Sequence, residues 1–151
     1  MPKIAGITMI FLIFTLVFFF NPTAAFSFNI PEKFEYELTW TGVKAGTATL
    51  EIARTGNDVK IISTAQSAKW VSVFYTVDNR VETILAKKSS LIFLGEPVNY
   101  RLRIREGKHR RDKEVIFNSG NKVTYIDHIN KEKHSFDVPS LIFDPLSSFY
   151  Y

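Results

Sequence analysis

The most highly charged part of the chain is the segment 100–113, which carries arginines at alternate positions. In a β-strand, Arg101, Arg103 and Arg105 would lie on one face while their apolar neighbours lie on the other. Such a row of guanidinium groups could contact anionic groups such as lipid headgroups or envelope polysaccharide. The alternative is a solvated strand face whose charges are offset by nearby acids, which is the commoner role of a charged run.

Four aromatic residues are candidates for contact with an apolar ligand. They are Trp40, Trp70, Phe74 and Tyr75. Aromatic rings offer large apolar surfaces, and the indole and phenol groups also carry a hydrogen-bonding atom. The alternative role of these residues is ordinary packing in a core.

The other polar residues give no local sign of catalysis or metal binding. His128 and His134 would share one side of a single strand, but no third ligand is close to them in the sequence. The chain has no G-x-S-x-G motif, no H-E-x-x-H motif and no glycine-rich phosphate loop. We therefore predict no catalytic residue, no metal site and no cofactor, although a site assembled from separate strands would leave no local motif.

The segment 144–151 contains a motif to which we assign a structural role. Asp144 is placed to cap a short helix, with Pro145 at the first helical position and Ser147 in the first turn. The aromatic side chains that follow would then pack on the sheet. They are Phe149, Tyr150 and Tyr151.

Alternating apolar and polar residues predict a series of short strands that would position these groups. In the first, residues 34–40, the apolar side chains share one face. Gly46 indicates a bulge or a close approach of two backbones, and the segment 118–121 indicates a hairpin turn. The segment 67–74 fits either a helical turn or the start of a strand. About seven to nine strands predict a mainly β fold, either a strongly curved antiparallel sheet or a partial barrel similar in kind to lipid-carrier barrels.

The N-terminus has the three parts of a secretory signal peptide, which we assign to residues 1–25. Lys3 precedes an apolar run at residues 4–20, and small residues lead up to Ala25. The alternative is that residues 4–20 remain as an anchor in the inner membrane. The chain has no cysteine, which excludes a lipid-modified N-terminus and a disulfide framework. We therefore expect export to the periplasm or cell envelope.

The rest of the chain, residues 26–151, has the length of one domain. Lys3 is the only charged residue in the signal peptide, so its removal lowers the net charge from +4 to +3. An exported domain with so small a net charge is not expected to bind nucleic acid. We predict a single β-rich domain.

Two motifs resemble the opening and the close of an exported bacterial family known as domain of unknown function 3108. The opening is Phe34-Glu-Tyr-Glu-Leu-Thr-Trp40 followed by Gly42-Val-Lys-Ala-Gly46, and the close is Asp144-Pro-Leu-Ser-Ser-Phe-Tyr-Tyr151. The phrase Phe74-Tyr-Thr-Val-Asp78 fits the same layout. The resemblance implies an exported, mostly β protein without an assigned activity. Members usually continue past the closing motif, so the resemblance also implies an incomplete domain.

Taken together, these features predict a non-enzymatic binding module for an apolar or amphipathic ligand, with lipid or another envelope component as partner. One alternative is a structural or protein-interaction component of the envelope that uses the arginine row or an open sheet edge. Another is an enzyme of unrecognised type. Contact with the membrane is expected only through the N-terminal segment, if that segment is not cleaved.

Overall fold

The structure is a computed structural model that describes residues 30–87 and 93–151. The predicted signal peptide and the alternative anchor at residues 4–20 lie outside the described residues. The described strands form one eight-stranded antiparallel sheet in which each strand pairs with the next along the chain. The strands are β1 (Glu32–Trp40), β2 (Val43–Thr55), β3 (Asp58–Ser67), β4 (Asp78–Ala86), β5 (Glu96–Glu106), β6 (His109–Asn118), β7 (Lys122–Asp127) and β8 (Glu132–Asp137).

The sheet is open, because β1 and β8 lie at its two edges and do not pair with each other. The prediction of a mainly β, antiparallel fold is therefore confirmed, and the sheet does not close into a barrel. The segment 67–74, for which the sequence left two interpretations, contains a one-turn helix, α1 (Lys69–Ser72). In the described residues, no helix has the length and apolar character needed to cross a bilayer.

The connections of this up-and-down sheet alternate between its two ends. The β1–β2, β3–β4, β5–β6 and β7–β8 connections share one end, which we call the helix end because α1 lies there. The predicted hairpin turn at residues 118–121 forms at the opposite end, where Gly120 has a φ of 78° and Asn121 a φ of 57°. Glycine and asparagine tolerate this left-handed conformation better than other residues.

The core lies on one face of the sheet, towards the end opposite α1. Ile52, Ile61 and Leu85 on adjacent strands are fully buried. Ile52 pairs with Ile61 in the β2–β3 register, so their side chains share a face, which we call the apolar face. Leu94 and Leu146 cover this cluster from outside the sheet. The opposite face of the sheet carries rows of ion pairs and is called the charged face below.

The C-terminal segment is fixed over the core by Asp144. Its Oδ1 accepts hydrogen bonds from the backbone N–H groups of Leu146 and Ser147 at 2.9 and 3.0 Å, and the Ser147 hydroxyl donates to Oδ2 at 2.7 Å. Asp144 and Ser147 are both buried. This carboxylate satisfies the backbone donors at the start of the 3₁₀ helix Ser147–Tyr150. The prediction that Pro145 takes the first helical position is wrong, because Pro145 lies in the turn before the helix.

The prediction that all three C-terminal aromatic residues pack on the sheet is wrong for Phe149, which is 80% exposed. A 3₁₀ helix has three residues per turn, so Ser147 and Tyr150 lie on its inner side while Phe149 points outward. Tyr150 packs against the core cluster. Tyr151 donates a hydrogen bond from its hydroxyl to the Gly95 carbonyl.

Candidate functional site

The strand β1 carries an apolar row on the apolar face that the C-terminal segment leaves uncovered. Its members alternate along the strand and are between 42% and 66% exposed. They are Phe34, Tyr36, Leu38 and Trp40. Large apolar side chains that lie together and remain exposed indicate a binding surface, because leaving them in water costs free energy.

The strands next to this row present small side chains on the same face. Tyr36 pairs with Ala48, and Ala48 pairs in turn with Ala65 of β3. Phe34 pairs with Leu50 of β2, and Leu50 pairs in turn with Ser63 of β3. Small side chains beside an aromatic row leave room above the sheet that larger residues would fill. A cavity of about 260 Å³ along β1 and β2 does not belong to this face, because most of its lining residues alternate with the row and lie on the charged face; they are Glu35, Glu37, Lys44, Thr47 and Thr49.

Gly46 sits at an irregularity in this part of the sheet. The β1–β2 register shifts between Leu38 and Thr39, directly opposite Gly46. A Cβ at Gly46 would lie only 2.5 Å from the Gln66 carbonyl oxygen, so the close approach of β2 and β3 requires glycine. The predicted bulge and close backbone approach are both confirmed.

Two of the four predicted aromatic ligand contacts form a pair. The rings of Trp40 and Trp70 lie 6.4 Å apart with an interplanar angle of 9°. The Trp70 indole N–H donates to the Lys44 carbonyl at 2.8 Å, and the Ala68 N–H donates to the Ala45 carbonyl at 2.7 Å. These two hydrogen bonds attach α1 to the start of β2 and hold the second indole at the end of the apolar row.

The other two predicted aromatic contacts lie further along the β3–β4 connection. The ring of Tyr75 packs on Gly107 in the β5–β6 turn. The contact is so close that a Cβ at Gly107 would lie 2.7 Å from the ring. Phe74 projects into solvent with 84% of its surface exposed. The structure therefore brings all four residues to the helix end, but only Trp40 and Trp70 contact each other as a ring pair.

The predicted arginine row lies on the charged face, where acidic partners balance most of it. Arg101 makes two hydrogen bonds to the Asp112 carboxylate, at 3.1 and 3.0 Å. Arg103 lies 2.8 Å from Glu82. Arg105 is exposed near the helix end. A row whose charges are largely paired offers less cationic surface than the sequence suggested.

Glu82 is the centre of this network. It forms ion pairs with Lys60 at 2.7 Å, Arg80 at 2.5 Å and Arg103 at 2.8 Å. Burial by itself would raise the pKa of Glu82, but hydrogen bonds from Arg80 and Lys60 outweigh burial and lower the pKa to about 2. The carboxylate is therefore charged at all ordinary pH values and serves to join three strands.

The two histidines considered as metal ligands contact different partners. His128 lies 2.8 Å from Glu114, whereas His134 lies between the rings of Tyr125 and Phe136. Within residues 30–87 and 93–151, no group of three or more His, Cys, Asp or Glu side chains could hold a metal ion.

The structural motif Asp144, Pro145 and Ser147 lies at the opposite end of the molecule from the tryptophan pair. The Ser147 hydroxyl is fully buried and donates to Asp144, so it is not accessible to a substrate. A second cavity, of about 340 Å³, lies near this end between the β6–β7 hairpin and residues 138–142. Its lining mixes apolar and polar residues without any cluster of charges.

Sequence reasoning did not single out three residues that the structure adds to the aromatic site. Phe34, Tyr36 and Leu38 were placed on one face of the first strand by their alternation. Alternation identifies a face but not whether another segment covers it, so the pattern alone does not reveal that these residues remain exposed. Their exposure places them beside Trp40 as part of the same surface.

Comparison with known proteins supports the resemblance noted in the opening and closing motifs. A family model described as "Protein of unknown function (DUF3108)" matches residues 35–151. The search of curated proteins and the search of solved structures gave no match. The matched range runs from β1 to the C-terminal segment over the core, and so includes the apolar row from Tyr36 onward. The chain belongs to the family Protein of unknown function (DUF3108).

Proposed function

We propose that this protein is a non-enzymatic binding module that holds an apolar or amphipathic ligand against the uncovered part of its apolar face. The observation that carries the proposal is the exposed row of β1, with Trp70 stacked on Trp40 at its end. An acyl chain laid along this row would remove water from it, and each methylene group so buried contributes about 0.8 kcal/mol.

The proposed ligand surface also includes the small residues beside the row. Ala48 and Ala65 leave space for a chain-like ligand between the aromatic side chains and the rest of the sheet. We further propose that the open sheet is strongly curved, with the apolar face concave, in the manner of lipid-carrier barrels. The register shift opposite Gly46 supports this proposal, because β-bulges increase the local twist and bend of a strand.

We also propose that the protein is exported to the periplasm or cell envelope through the signal peptide at residues 1–25. The alternative remains an anchor formed by residues 4–20. N-terminal sequencing of the protein from a fractionated envelope tests the two. A mature chain beginning at or next to Phe26 supports cleavage, and recovery of Met1 in the inner-membrane fraction supports the anchor.

A second candidate function is a protein-interaction component of the envelope. It is favoured by β8, an edge strand in which every residue is exposed. An edge strand presents backbone groups that can pair with a strand from a partner. Pro in place of Ser135 should then abolish capture of a partner from envelope extracts, whereas it should leave ligand binding at the apolar row unchanged.

Intrinsic fluorescence tests the ligand proposal directly, because the only two tryptophans in the chain are Trp40 and Trp70. A brominated fatty acid should quench their emission in a saturable manner, and the unbrominated acid should relieve the quenching by competition. Lipid extraction of the purified protein followed by mass spectrometry should identify bound acyl chains.

Adjacent residues of β1 supply a matched pair of variants. Leu38→Ser removes apolar surface from the row and should weaken binding about fivefold to tenfold, which corresponds to about 1 kcal/mol. Glu37→Ser changes the opposite face of the same strand and should leave the affinity unchanged. Absence of saturable quenching, or equal affinities for the two variants, would refute the ligand proposal.

A further inference from the structure

Two exposed segments that are distant in the sequence meet at the helix end of the sheet. The first, called the aromatic loop, is residues 69–75, and the second, called the basic turn, is residues 105–111. Gly107 donates its N–H to the Thr76 carbonyl at 2.8 Å, and Val77 forms a β-bridge with Glu106. The ring of Tyr75 packs on Gly107. The two segments therefore form one continuous surface.

The aromatic loop projects adjacent apolar side chains into solvent. Val73 is 78% exposed and Phe74 is 84% exposed. A tight turn holds them in place, because the N–H groups of Phe74 and Tyr75 both donate to the Val71 carbonyl, at 2.9 and 2.8 Å. A protrusion that is fixed before binding loses little conformational freedom when it meets a partner.

The basic turn surrounds this protrusion with positive charge. The exposed cationic residues of the two segments are Lys69, Arg105, Lys108, Arg110 and Arg111. His109 is not counted with them, because its Nε2 accepts a hydrogen bond from Arg111 Nε at 2.6 Å. The nearby acidic residues are Asp78, which accepts from Gln66 at 3.4 Å, and Glu106, which accepts from Asn79 at 2.7 Å. The cations therefore exceed the acids on the surface that these two segments form.

We propose that the helix end docks on the surface of an anionic phospholipid bilayer. Val73 and Phe74 insert between the lipid headgroups, and the basic residues contact the phosphates around them. Apolar tips flanked by cations suit the boundary between headgroups and acyl chains, where both kinds of contact are available at once. A small soluble anion would engage the cations but would leave the apolar tip in water.

This contact differs from the expected one, which was restricted to the N-terminal segment. It also concerns other side chains than the apolar row of β1, although Trp70 of the aromatic loop stacks on Trp40 at the end of that row. Different probes and different variants therefore test the two proposals. A brominated fatty acid below its micelle concentration tests the row, whereas vesicles test the helix end.

The first experiment measures binding of the full-length protein to vesicles of phosphatidylglycerol and phosphatidylcholine, and to vesicles of phosphatidylcholine alone. Binding should be at least tenfold tighter to the anionic vesicles and should weaken as salt is raised from 0.05 to about 0.5 M, because salt screens the charges. Equal binding to both vesicles would overturn the proposed role of the basic turn.

Matched variants separate the helix end from any contribution of residues 4–20, which all of them retain. The double variant Val73→Ser/Phe74→Ser should lose at least tenfold in affinity, and Phe149→Ser, an equally exposed phenylalanine far from the helix end, should lose none. Arg110→Gln/Arg111→Gln should also weaken binding, whereas Arg54→Gln/Lys122→Gln makes the same charge change at the opposite end and should not. Circular dichroism checks that each variant is folded.

The position of the loop in the bilayer can be measured with a new fluorophore. Emission of the Phe74→Trp variant should be quenched by phospholipids brominated on the acyl chains, in excess of the quenching of wild-type protein. The Phe149→Trp variant should show no such excess. Equal quenching of the two variants would overturn the proposal. The proposal would also be overturned if the protein did not bind vesicles and instead formed a dimer that Phe74→Ser abolishes. That result would assign the surface to contact with a second copy of the chain.

Discussion

The indole rings of Trp40 and Trp70 stack nearly parallel, 6.4 Å apart, although one belongs to an edge strand and the other to a one-turn helix. The helix has no capping side chain and no buried residue of its own. A single helical turn is not stable alone, because its nucleation is costly. Its attachment to the sheet therefore depends on the ring pair and on the hydrogen bonds from Trp70 to Lys44 and from Ala68 to Ala45.

A double-mutant cycle should detect this pair. Trp40→Ala and Trp70→Ala should each lower the free energy of unfolding, with a coupling of about 0.5–1 kcal/mol between them. Trp70→Phe keeps a ring but loses the donor to Lys44, and should cost about 1 kcal/mol. Urea unfolding followed by circular dichroism gives these values. Strictly additive effects would show that the rings do not stabilise each other.

Glu82 should make stability depend on acid pH. Its pKa is about 2 in the folded protein against 4.5 ordinarily, so its stabilising effect is complete above about pH 5 and is lost as the pH falls towards 2. Glu82→Gln should therefore lower the free energy of unfolding by about 1–2 kcal/mol at pH 7, after allowance for the partial exposure of its partners. At pH 2 the difference from wild type should nearly vanish.

The control for Glu82 is Glu35, which pairs with Lys33 at the surface. Glu35→Gln makes the same chemical change in an exposed pair, and its effect should be small at both pH values. A difference between wild type and Glu82→Gln that persists unchanged at pH 2 would contradict the assignment of the acid transition to Glu82.

Thr83 should be replaceable by valine with a gain in stability. It is fully buried, and its hydroxyl has no hydrogen-bond partner among the described residues. A buried hydroxyl without a partner is destabilising, so Thr83→Val should raise the free energy of unfolding by about 1 kcal/mol. Thr49→Val, which breaks a 2.7 Å hydrogen bond to Thr64, should lower it instead. Thermal and urea unfolding of the two variants should move in opposite directions.

Asp144 should control the docking of the C-terminal segment. Asp144→Ala removes the acceptor of three hydrogen bonds and should cost about 2 kcal/mol or more, because the site is buried. Asp144→Asn retains one acceptor oxygen and should cost less. The measurement is urea unfolding together with binding of a dye that detects exposed apolar surface. Dye binding should rise for the alanine variant, since Leu146 covers the core.

The amino-acid sequence determined the strands, their faces and several of their connections. Alternation of apolar and polar residues is a local property, and it placed Tyr36 and Leu38 on the same face of β1 without reference to the rest of the chain. Gly46 and the turn at residues 118–121 were readable for the same reason. Gly46 marks a place where two strands lie too close for a Cβ, and the turn uses a left-handed backbone conformation that few other residues tolerate.

Only the tertiary structure decided which apolar residues are covered and which remain exposed. Phe34 and Ile52 both belong to apolar faces of strands, but only Ile52 lies beneath the C-terminal segment. Similarly, the sequence showed an aromatic segment and a basic segment, and the antiparallel register joined Tyr75 to Gly107. The physical reason is that coverage and proximity depend on contacts between distant residues, whereas a strand pattern depends only on neighbours along the chain.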